Sequence, residues 1–78
     1  MASETFTTSD ISLATYLIMT GRQLTATERL HGGKFNFRFT DYRGREAELM
    51  RFFNRRITVE PNAFLDNLKS LKALLNQQ

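Results

Sequence analysis

Lys34-Phe35-Asn36-Phe37-Arg38-Phe39-Thr40 alternates strictly between aromatic and polar side chains. A period of two with one apolar face is the pattern of a half-buried β-strand. His31-Gly32-Gly33, just before it, is turn chemistry, because glycine reaches positive φ without strain. On the other side of that turn, Arg22 to Leu30 offers a partner arm with Leu24, Ala26 and Leu30 on one parity. Residues 22–40 therefore read as an antiparallel hairpin with a Phe-lined face. In simple register its opposite face carries Thr25, Thr27, Arg29, Asn36, Arg38 and Thr40.

Helical spacing flanks this hairpin. Ile11, Ala14, Leu17 and Ile18 predict a helix over about 10–20, with N-cap candidates among residues 5–10 and Gly21 at its C-terminal end. After the hairpin, Asp41 can cap a second helix whose apolar side is Ala47, Leu49, Met50, Phe52 and Phe53, with Asn54 as its stop. Arg56-Ile57-Thr58-Val59-Glu60 is β-branched and alternating, which predicts a short third strand. Pro61 suits the first turn of a final helix, along which Phe64, Leu68, Leu71 and Leu75 form one stripe. The expectation is an α+β fold of order α-β-β-α-β-α, with helices packed on the Phe face. It forms one domain over residues 1–78, with a flexible start at 1–7 and a frayed end at 76–78.

Composition narrows the function classes. The chain has 78 residues and no Cys, so neither disulfides nor thiolate metal sites supplement its core. The apolar run Tyr16–Met19 is far too short to span a bilayer, and residues 1–10 lack the basic and apolar regions of a secretory signal. The cytoplasm is the default location, and no membrane partner is expected. His31 is the only histidine and sits in a turn, which excludes the familiar zinc sites. No phosphate-cradling or dinucleotide glycine motif occurs, and no nucleophile elbow accompanies His31-Gly32-Gly33. The carboxylates are scattered. These observations argue against an enzyme and against a cofactor.

The remaining signal is basic. Net charge is +3, the pI is near 9.8, and eight of the 11 basic residues are Arg, whose planar fork suits phosphate and carboxylate. Arg43, Arg45, Arg51, Arg55 and Arg56 gather in and after the second helix, partly neutralised by Glu46 and Glu48. Arg51 and Arg55 are one helical turn apart, and Arg55 and Arg56 also complement a helix C-terminus. Phe35, Phe37 and Phe39 have the spacing of a base-stacking platform. With no Trp and only two Tyr, however, the chain needs its seven Phe inside, and core is the preferred reading. The Phe64–Leu75 stripe is likewise core, or a homodimer seam.

Thr8-Ser9-Asp10-Ile11, Leu13-Ala14, Tyr16-Leu17 and Gly21 resemble the opening of a small domain family of unknown function from bacteria and their phages. The likeness continues through Phe37-Arg38-Phe39, Phe52-Phe53-Asn54, Val59-Glu60-Pro61, Phe64, Leu68-Lys69 and Leu71-Lys72. It implies the architecture and a bacterial or phage source, and it implies no activity. Residues 34–75 are also similar to the strand-helix-helix core of phage ribbon-helix-helix repressors. That similarity implies base reading from alternate strand positions, here Lys34, Asn36 and Arg38. Such repressors pair the strand with a second subunit, whereas here residues 22–30 can pair it within the chain.

The first functional expectation is a nucleic-acid-binding accessory or regulatory module. It would contact DNA or RNA through Lys34, Asn36, Arg38, Arg51, Arg55 and Arg56. The alternatives are a protein-interaction module, of the inhibitor or adaptor kind, docking on an acidic partner, and a small structural homodimer. Monomer and homodimer are both open.

Overall fold

The computed structural model describes residues 4–77, and in it the alternating stretch is the central strand of the sheet. Strand β3, Phe35–Thr40, lies between β1, Thr5–Thr8, and β2, Leu24–Arg29, and both pairings are antiparallel. Three α-helices complete the described chain: α1 Ile11–Met19, α2 Arg45–Phe53 and α3 Pro61–Leu75. The class is α+β as expected, but the order is β-α-β-β-α-α.

Two assignments change together. Thr5-Phe6-Thr7-Thr8 read as cap candidates and as part of a flexible end, yet residues 5–8 form an edge strand. Thr5 pairs with Thr40, Phe6 with Phe39 and Thr8 with Phe37, so Phe6 joins the Phe face. The expected third strand, Arg56–Glu60, is instead extended chain outside the sheet. β1 and β2 take both edges of β3, and residues 56–60 join neither outer edge of the sheet. Ile57 and Val59 still alternate inward and pack half-buried on the core. The remaining end residues, 1–3 and 78, lie outside the described residues. At the other end, the amides of Asn76 and Gln77 bond to Lys72 and Leu74 carbonyls, continuing the last turn of α3.

Local chemistry explains the helix boundaries. Asp10 caps α1: its carboxylate accepts from the amides of Ser12 (2.9 Å) and Leu13 (3.2 Å). Thr15 is fully buried, and its hydroxyl donates to the Ile11 carbonyl at 2.8 Å, which satisfies it inside the helix. Helix α3 starts with Pro61 in its first turn and the Glu60 side chain accepting from the Ala63 amide. Asp41 does not cap α2. It is drawn into an ion pair with Arg45 at 2.8 Å, and Gly44 in a left-handed conformation opens the helix.

The core contains Leu13, Ala14, Tyr16 and Leu17 from α1, Phe6, Phe37 and Phe39 from the sheet, and Leu71 and Leu75 from α3. The stripe on α3 turns inward: Leu71 and Leu75 are buried, and Phe64 packs half-buried on the core. Phe35 is half-buried and Phe37 and Phe39 are buried, as the core reading requires.

One irregularity redraws the outer sheet face. A bulge between Leu24 and Ala26 shifts the parity of β2. Beyond it Thr27 lies opposite Phe37 and Arg29 opposite Phe35, on the Phe face, where the Arg29 guanidinium stands 4.9 Å from the Phe35 ring. The outer face instead pairs Ala26 with Arg38 and Glu28 with Asn36, and β1 adds Thr5 and Thr7 opposite Thr40 and Arg38.

Candidate functional site

Helix α2 stands apart from the other two helices in how it is attached. Its inward side carries Glu48, Leu49 and Phe52, and Glu48 is only 8% exposed. Both tyrosines of the chain converge on that carboxylate: the Tyr16 hydroxyl donates at 3.3 Å and the Tyr42 hydroxyl donates to its other oxygen. The Arg22 guanidinium approaches Glu48 at 3.5 Å and stands over the Tyr42 ring, its Cζ 3.6 Å from the ring centre. One carboxylate therefore ties α2 to α1, to the loop after α1 and to the loop after β3. A buried carboxylate is tolerated when several donors satisfy it.

Burial and then the Glu48 hydrogen bond and charge push the Tyr42 hydroxyl up to about 12, against a lowering by Arg22. Burial followed by the Glu48 charge also raises Tyr16. Both phenols therefore remain protonated donors at neutral pH, and the network is a fixed polar joint. Neither phenol is poised near neutrality.

From this joint an aromatic series leads outward. The Tyr16 and Phe52 rings are 5.5 Å apart, and Phe53 meets Phe52 edge-on at 5.4 Å. Phe53 is 58% exposed, and Met50, one turn before it, is 59% exposed. The expected apolar side of this helix is thus divided. Glu48 takes part of the inward arc, and Met50 and Phe53 are left facing solvent.

Arginines surround that exposed pair. Arg51, Arg55 and Arg56 are all exposed. The chain leaves α2 through a Schellman turn: the Arg55 amide bonds to the Phe52 carbonyl at 3.1 Å and the Arg56 amide to the Arg51 carbonyl at 2.8 Å. Arg55 takes the left-handed position of this turn, with φ of 59°, and it is the one non-glycine with positive φ among the described residues. Helix α1 ends in the same hydrogen-bond pattern, with Gly21 in that place.

The six residues singled out from sequence fall into three places. Arg51, Arg55 and Arg56 gather at the end of α2. Arg38 and Asn36 lie on the outer face of the central strand, Arg38 exposed and Asn36 half-buried opposite Glu28. Lys34 lies just before β3, on the rim of a cleft that also holds Lys72. Arg45 is engaged by Asp41, and Arg22 by Glu48.

Sequence reasoning missed the joint and the exposed pair. Glu48 is one turn before Phe52 within the apolar arc, which was the available sign that it points inward. No comparable sign distinguished Met50 and Phe53 from Leu49 and Phe52.

The repressor likeness meets an obstacle at β3. Both its edges are paired within the chain, so an intersubunit ribbon has no free edge there.

Among the described residues no helix is long and apolar enough to cross a membrane. No curated protein and no solved structure matches the chain. The profile of one family, described as a domain of unknown function (DUF5659), matches residues 3–77, so the chain belongs to that family.

Proposed function

We propose that this domain is a non-enzymatic docking module that binds an acidic, amphipathic segment of a partner protein through the end of α2. The observation that carries the reading is the exposed Met50 and Phe53 on a helix that also presents Arg51, with Arg55 and Arg56 directly after it. Large apolar side chains held in water are unfavourable by about 25 cal/mol per Å² of the area a partner would cover. Arginines beside such a patch add orientation and favour carboxylates. The Glu48 joint holds the helix in place, which lowers the ordering cost of binding.

Panning a random peptide display library against the full chain tests this. The expected outcome is enrichment of peptides in which Asp or Glu alternates with Leu or Phe, lost against Met50→Ser/Phe53→Ser and against Arg51→Glu/Arg56→Glu. Enrichment of no such sequence, or binding indifferent to both variants, ends the proposal.

A nucleic-acid reading rests on a different observation: Arg38 is exposed on the uncovered face of the central strand, two residues from Asn36, in a chain of net charge +3. DNA or RNA would then be contacted by Lys34, Asn36 and Arg38, with Arg51, Arg55 and Arg56 on phosphates. Affinity for a single- or double-stranded oligonucleotide should fall steeply with salt and fall further in Arg38→Ala. Absence of binding to either at low ionic strength removes this reading. A homodimer could use Met50 and Phe53 or the exposed Leu65 and Leu74 of α3, so sedimentation of the parent chain, of Met50→Ser/Phe53→Ser and of Leu65→Ser/Leu74→Ser separates it from the docking module.

A further inference from the structure

A cleft lies away from α2, where three distant segments meet. Ser9 and Ile11 enter it from the start of α1, Lys34 and Phe37 from the hairpin turn and β3, and Lys72 and Leu75 from the last turns of α3. It encloses about 460 Å³, within the range of small-molecule sites. The half-buried Ile11 and Phe35 supply its accessible apolar floor, with the buried Phe37 and Leu75 behind them. Lys34 and Lys72 are exposed on its rim, and neither is in an ion pair among the described residues.

An apolar floor under two unpaired ammonium groups fits a ligand with an apolar body and one negative end. Hydrogen bonding adds selectivity through the exposed Ser9. The amides at the start of α1 take no part, because the Asp10 carboxylate already occupies those of Ser12 and Leu13. Asp10 also puts one negative charge beside Ser9, which disfavours a dianion over a monoanion.

We infer that this cleft binds a small amphipathic monoanion, a carboxylate carried on a medium-length alkyl chain. The site shares no residue with the Met50–Phe53 surface, so it stands whether or not that surface docks a partner. The alkyl chain lies against Ile11 and Phe35 while the lysines hold the head at the rim, the arrangement in which a long side chain keeps its charge wet and its stem against apolar surface.

Titration of the full-length chain with octanoate, followed by amide chemical shifts, tests the inference. Saturable shifts confined to Ile11, the residues around Lys34 and the end of α3 are expected. Octanol, which lacks the charge, and acetate, which lacks the body, should each bind about tenfold more weakly or not at all. Lys34→Ser/Lys72→Ser alters only exposed, unpaired side chains, so the fold persists, and octanoate affinity should drop about five- to tenfold. Lys69→Ser, which removes an exposed lysine that does not line the cleft, should leave it unchanged. Shifts that do not saturate, equal binding of octanol, or full affinity in the double lysine variant would each overturn the site.

Discussion

Helices α1 and α3 are held to the sheet chiefly by apolar side chains, whereas α2 adds a buried carboxylate to the half-buried Leu49 and Phe52. In the first region Leu13, Leu17, Phe37 and Phe39 are withdrawn from water almost completely, and the interface is non-directional. In the second, Glu48 collects donors from Tyr16, Tyr42 and Arg22, and the interface works only in one geometry. The difference shows how a small chain can keep large apolar residues outside. Because a polar joint positions α2, the helix does not need to bury Met50 and Phe53 to be ordered.

Breaking the apolar side should have the largest effect. Phe37→Ala removes a ring that is 1% exposed and should cost about 3–5 kcal/mol, enough to unfold much of a domain this small. Urea denaturation monitored by circular dichroism reads it, and a loss under about 1 kcal/mol would mean that the sheet face is not the core.

Breaking the polar side should cost less and act locally. Glu48→Ala leaves two phenols and a guanidinium without their acceptor, at about 2–3 kcal/mol. Hydrogen exchange should accelerate throughout α2 while α1 and β3 stay protected. Uniform acceleration across the chain would show that the two regions are not separable.

Alkaline pH sharpens the same contrast. The folded pKa of Tyr42, about 12, is above its ordinary value of 10.0, so the unfolded chain releases this proton first. Stability from this group is therefore full below pH 10 and lost progressively between pH 10 and about 12. Tyr16 is raised too and acts in the same direction. Tyr42→Phe should flatten that decline, and an unchanged pH curve would show that the joint does not titrate with folding.

The smallest effect concerns the two matching helix ends. Arg55→Gly relieves a left-handed arginine and should stabilise the fold by about 0.5–1 kcal/mol, in contrast to Gly21, which already has the permissive residue. If Arg55 serves the docking surface, the same substitution weakens peptide capture. A gain in stability without a loss of binding would leave the arginine unexplained.

Much of the framework could be read from residue patterns because its signals are local. The hairpin followed from the Phe35–Phe39 alternation, and α1 and α3 from caps and apolar spacing within single helices. Strand β1 could not be read this way. Thr5–Thr8 suits a cap cluster as well as a strand, and it is a strand only because β3 offers it an edge. Arg56–Glu60 fails in the opposite way: its alternation is sound, but Ile57 and Val59 pack on the core without joining either outer edge of the sheet. At the candidate site, the grouping of Arg51, Arg55 and Arg56 was visible in sequence. The exposure of Met50 and Phe53 was not, because it depends on which part of an apolar arc a distant Tyr16 and Tyr42 pull inward through Glu48.

The register of β1 also has a consequence in time. Thr5 pairs with Thr40, so the earliest-made strand of this sheet must wait for the last of the three. The β2–β3 hairpin closes across a short turn and pays little loop entropy, while β1 closes a loop that contains both α1 and the hairpin. Assembly should therefore run against the order of synthesis, with the N-terminal edge docking on a preformed hairpin. In stopped-flow kinetics, Phe6→Ala should speed unfolding and leave the folding rate nearly unchanged; slowed folding would place β1 in the nucleus instead.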